Sequence, residues 1–156
     1  MGPLEPLDEA GLTALKAEST AAALAYLTRF AAEDGVLLNS ATGQWVSCRD
    51  EGSDFGEYTI NALITVPAGE PENQLEPFIL KMQADGWNTR RDSLPSRKSP
   101  TTGNAVVTFS KGNQGMRVVT TGGTDGIVIY SGACANSADF NNEGFSFADS
   151  DTIPVK

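Results

Sequence analysis

Asp50, Glu51, Asp54 and Glu57 crowd one short polar stretch and could act as acid and base in a hydrolysis, or hold a hard cation. Acid–base work by carboxylates needs one of them desolvated, so that its pKa climbs towards neutrality. A polar connection containing Gly52 and Gly56 keeps them in water, so the expectation is a solvated loop and not a carboxylate hydrolase. Asp139-Phe140-Asn141-Asn142-Glu143-Gly144 opens like a calcium loop, with oxygen ligands at its first, third and fifth positions and glycine at the sixth. The bidentate Glu that should close such a loop is replaced by Ser150, which favours a turn-rich surface segment. Thr121-Gly122-Gly123-Thr124-Asp125-Gly126 has the glycine content of a phosphate cradle. A cradle needs a strand before it and a helix after it, and here strand-like segments flank both sides, so a hairpin turn is expected.

Residue types remove other chemistries outright. The chain has no histidine. That excludes Ser-His-Asp and Cys-His catalysis, His-ligated zinc and haem, and a histidine pH switch. No Gly-x-Ser-x-Gly elbow occurs. Trp45 and Trp87 could line a ligand groove, but each adjoins a strand-like segment and reads as a core anchor. The chain is therefore expected to be no enzyme and to carry no cofactor or metal.

Twenty acids against eleven bases leave a net charge of −9. Such a surface repels nucleic acid and anionic lipid. Seven of the eleven bases nevertheless fall within residues 81–117. Arg90, Arg91, Arg97 and Lys98 flank one loop there. They read either as charge blunting an edge strand or as a small cationic patch for an acidic partner or polymer.

Cys48 and Cys134 are the only cysteines, and neither belongs to a Cys-x-x-Cys motif. Two ligands are too few for a zinc site. Both cysteines end strand-like segments, which suggests one disulfide and an extracytoplasmic home; two buried thiols in a cytosolic protein are the alternative. The opening Met1-Gly2-Pro3-Leu4-Glu5-Pro6 has neither a basic region nor an apolar core, which suits a trimmed exported protein and a cytosolic start equally.

These residues must be positioned by a modest set of elements. Residues 7–34 read as one long helix, with Leu12, Leu15, Ala22, Tyr26 and Phe30 on one face and Gly35 suited to its end. Short strands follow over 44–48 and 57–66. In the second, Tyr58, Ile60, Ala62, Ile64 and Val66 alternate with Thr59, Asn61 and Thr65. A second helix is expected over 71–84 with Leu75, Phe78, Ile79 and Met82 as its stripe, although Pro77 sits uncomfortably far inside it. A strand over 87–91 and a loop over 92–103 follow, and strands over 104–110, 115–121 and 126–132 form an antiparallel meander. The fold class is α+β: one antiparallel sheet of about five strands, two helices on one face, order α-β-β-α-β-β-β. The sheet's other face is polar enough to meet water or a partner. A single domain over 1–135 and a polar C-terminal tail over 136–156 are expected, at a total length of 156 residues.

This order resembles small exported lipoproteins of actinobacteria, including the mycobacterial LppA-type family. The likeness rests on the long first helix, Trp45 just ahead of Cys48, the second helix running into Gly86-Trp87, and the terminal strand Ile127-Val128-Ile129-Tyr130-Ser131-Gly132-Ala133-Cys134. It spans roughly residues 10–135 and lacks a lipid-bearing cysteine and an export signal. The resemblance implies pairing of Cys48 with Cys134, export and a cell-envelope location, and it transfers no active site. The resulting expectation is a non-enzymatic envelope protein, secreted or lipid-anchored, that binds a partner protein or envelope ligand. An inhibitor or immunity-type protein docking its acidic surface on a basic enzyme is the alternative.

Overall fold

A computed structural model describes residues 6–33, 35–48, 55–69, 74–95, 103–112, 114–140, 145 and 150–154. Helix α1 spans Glu9–Ala31. Asp8 caps it by accepting a hydrogen bond from the Gly11 N–H at 2.8 Å, and Glu9 in the first turn suits the helix dipole. The chain leaves the helix through Gly35, whose φ of 78° favours glycine and whose Cβ would press on Pro67.

Strands β1 (Leu37–Ser47) and β2 (Phe55–Thr65) form a long antiparallel pair. β1 begins seven residues earlier than the sequence predicts, because its opening stretch has no clean alternation, and β2 begins two residues earlier. A bulge between Leu38 and Ser40 absorbs the irregularity. Helix α2 covers only Glu76–Ala84. Its late start places Pro77 in the first turn, where the missing N–H costs nothing, and so resolves the awkward proline. Strands β3 (Asn88–Pro95), β4 (Gly103–Lys111), β5 (Gln114–Thr120) and β6 (Asp125–Ser131) form a meander.

The fold is α+β, but the strand count differs from expectation. The sheet has eight strands, not about five, in the order β3-β4-β5-β6-β2-β1-β8, with the short β7 (Ala135–Asn136) beside β2. The additional short strands are β7 and β8 (Ser150–Ile153), and β8 pairs with β1. Their sequences are too short and too polar to announce strands, and pairing with a preformed edge supplies what propensity does not. Every ladder between these strands is antiparallel.

Both helices pack on one face of the sheet. Leu12, Ala23, Leu27 and Phe30 of α1 and Phe78, Ile79 and Met82 of α2 share one core with Trp45, Tyr58, Ile60, Ala62, Phe109, Val118 and Val128. Rings carry much of that packing: Phe30 meets Phe78 at 4.3 Å, and Trp45 meets Tyr58 and Phe140, each at 5.2 Å. Trp45 and Trp87 are both buried, as core anchors should be. Phe140 and Ile153 are buried as well, so residues beyond 136 contribute to the core.

Two devices hold this arrangement. Cys48, just past β1, is joined to Cys134, just past β6, across 86 positions of chain. Tyr58 lies flat over Gly43 and donates to Asp151 Oδ2 at 2.7 Å, while Lys16 of α1 reaches the same oxygen at 2.7 Å. Helix, central strand and edge strand thus meet at one carboxylate. Lys16 and Tyr58 together hold the Asp151 carboxyl below its usual range.

Removing the cross-link with Cys48→Ser and Cys134→Ser should cost about 2–5 kcal/mol of unfolding free energy, measured by urea denaturation; an unchanged midpoint would show that the bond constrains nothing. Gly43→Ala drives a methyl group into the Tyr58 hydroxyl and ring. It should destabilise by about 1–3 kcal/mol in the same assay, whereas a neutral result would mean that Tyr58 moves freely.

Candidate functional site

The helices leave the second face of the sheet open. Alternation along each strand dictates what it displays: the core takes Tyr58, Ile60, Ala62 and Ile64 of β2, so Asn61 and Leu63 point outward. Likewise Ile127 and Ile129 of β6 and Arg117 and Val119 of β5 turn away from the helices.

Strand register assembles these residues into rows. Val106, Val119, Ile127 and Leu63 stand side by side across β4, β5, β6 and β2. This apolar row includes two of the most exposed large hydrophobic residues, Leu63 at 54% and Ile127 at 42%. The next row reads Arg90, Thr108, Arg117, Ile129, Asn61. The third reads Ser110, Gly115, Ser131, Thr59, Gln44. Asp125 lies on the far side of the apolar row, paired with Thr65.

A shallow groove of about 230 Å³ sits among Thr108, Gly115, Arg117, Ile129 and Ser131. Gly115 borders it, and a Cβ there would meet nothing within 4 Å. Arg117 is exposed and has no ion-pair or side-chain hydrogen-bond partner among the described residues. Four other cations are engaged: Lys16 with Asp151, Arg29 with Asp85, Lys81 with Glu33 at 2.5 Å, and Lys111 with the Asp85 carbonyl. Next to the groove, Thr59 is buried and its hydroxyl has no hydrogen-bond partner. Glu57 lies one step further along β2, half-buried. Burial pushes its carboxyl above the usual range, and a hydrogen bond with Ser131 opposes that shift.

The residues singled out from sequence fare differently. Cys48 and Cys134 are joined. Arg90 lies exposed on β3, in the same row as Arg117. Arg91 of β3 stands opposite Val107 of β4, and Arg97 and Lys98 lie outside the described residues. Asp50, Glu51 and Asp54 lie outside them too, and so do Asn141, Asn142 and Glu143 of the calcium-like segment. Thr121–Thr124 form the turn between β5 and β6, as expected. Among the described residues no group of three or more acidic or cysteine side chains is placed to hold a metal.

Arg117, Val119, Leu63, Ile127 and Ile129 were not singled out from sequence. Leu63 interrupts an otherwise polar alternation, and that misplaced apolar residue was the available signal. Ile127-Val128-Ile129-Tyr130 is an unbroken apolar run, in which periodicity cannot tell the inner face from the outer. No family model, no curated protein and no solved structure matches the chain.

Among the described residues this face offers an apolar strip, a cation without a side-chain partner, and hydroxyls. Because the Glu57 carboxyl titrates higher folded than unfolded, its contribution to stability is present below the unfolded pKa and is lost as pH rises through the folded one. Glu57→Gln should therefore raise the melting temperature slightly at pH 7, with the gain vanishing below about pH 4; thermal melts across that range check it, and a gain at the acid end only would refute it.

Proposed function

We propose that this chain is a non-enzymatic, exported protein of the cell envelope, secreted or lipid-anchored like the actinobacterial lipoproteins it resembles, and that it binds a protein partner through the open face of its sheet. The observation that carries the binding reading is that face: an exposed apolar row beside an unpaired arginine, on the side the helices leave bare. An apolar strip of this kind in contact with water is costly, and its usual justification is an interaction surface. Export is supported by the Cys48–Cys134 cross-link, since such bonds persist in oxidising compartments and are uncommon in the cytosol.

The two described hydroxyls with strong shifts also fit a binding role. The strongly shifted hydroxyls, Tyr58 and Tyr130, are pushed upward by burial, Tyr130 to about 12, and stay protonated. Neither is poised as a nucleophile or base near neutral pH.

Two measurements in the native cells test the reading. Fractionation with alkylation of free thiols should find the protein in the envelope with both cysteines oxidised, and a cytosolic pool with two free thiols would overturn export. A photo-reactive residue at position 127 should give covalent adducts on irradiation, and the same probe at exposed Thr13 of α1 should not. Equal yields at both positions, or none at either, would remove the open face as the binding surface.

A further inference from the structure

We infer that the partner seated on the open face is a second copy of this chain, and that the two sheets pack face to face about a twofold axis running along the apolar row. The inference rests on reading that face as a binding surface and adds the identity of the occupant. Its basis is the order of chemistry across the face. Arg117 lies one row to one side of Ile127 and Asp125 lies one row to the other, on the neighbouring strands β5 and β6. Both are exposed, and neither side chain has an ion-pair or hydrogen-bond partner among the described residues.

A twofold interface brings each surface against itself, so the surface must be self-complementary. Rotation about an axis along the apolar row lays Val106, Val119, Ile127 and Leu63 on the same four residues of the other copy. It exchanges the rows on either side, so Arg117 of each copy comes over Asp125 of the other. The lateral offset is one strand spacing, about 4.8 Å. Facing sheets stand about 10 Å apart, a gap that an arginine and an aspartate can bridge together. The alternative axis, parallel to the strands, sets Arg117 over Ile129 and leaves both charges unpaired, and unpaired charges in an interface are costly. Charge order therefore selects one packing.

Five strands and three rows cover roughly 500 Å² per copy. Twice that reaches the low end for a specific interface, about 1,000 Å². The net charge of −9 on each copy opposes association. A dimer with a dissociation constant in the micromolar range is expected.

Sedimentation velocity on the oxidised full chain, from about 1 to about 500 µM at about 0.15 M salt, reads this directly. The mass should double with concentration, and Ile127→Lys should keep the chain monomeric throughout. Arg117→Asp and Asp125→Arg should each weaken the dimer about tenfold, and the double exchange should restore it to within about threefold. Thermal melts show that each variant is folded. A wild-type chain that stays monomeric, or a folded double variant no tighter than the single ones, overturns the inference. If the purified chain is monomeric yet position 127 still forms adducts in cells, the second-copy interface alone falls. If adducts are also missing, the binding surface falls with it.

Discussion

The structure turns on the two-residue period of β2. This strand lies between β1 and β6 and pairs with both along most of its length. Its even-numbered residues, Tyr58, Ile60, Ala62 and Ile64, are buried under the helices. A slip of one residue would turn all four towards water and bring Asn61 and Thr65 into the core, so the register has no near alternative. With β2 in place, the facing of β1 and β6 follows from pairing, and that of β5 and β4 follows in turn. The inner and outer faces of the whole sheet are thus decided on one strand.

Several features guard that choice. Gly43 opposes Ile60 and leaves room for Tyr58 to lie across it, while Gly126 opposes Ile64 and makes room for that side chain. Gly132 admits Ser19 of α1 at the far end of β6. A Cβ at Gly43 would press on the Tyr58 ring, one at Gly126 on Ile64, and one at Gly132 on Ser19 of the helix layer. The Lys16–Asp151–Tyr58 cluster then ties α1 and β8 to β2 with polar contacts. Individually the exposed ion pairs contribute little, and the cross-link between Cys48 and Cys134 is the stronger restraint.

The same alternation that builds the core also makes the open face. Burying Ala62 and Ile64 exposes Leu63 between them, and burying Val128 exposes Ile127 and half-exposes Ile129. These outward apolar residues give the monomer only cross-strand contacts, and Arg117 beside them has no side-chain partner among the described residues of a chain rich in acids.

The amino-acid sequence alone determined the fold class, both helices, the hairpins of the meander, the inward set of β2 and the absence of histidine chemistry. Each of these is carried by local periodicity, turn residues or residue type, and so can be read without knowing neighbours. Tertiary structure alone decided the strand order, the recruitment of Ser150–Ile153 to the edge of β1, and the start of α2 at Glu76. It also decided the rows of the open face. Val106, Val119, Ile127 and Leu63 are far apart in the chain and become neighbours only through register, which depends on long-range pairing that no local pattern encodes.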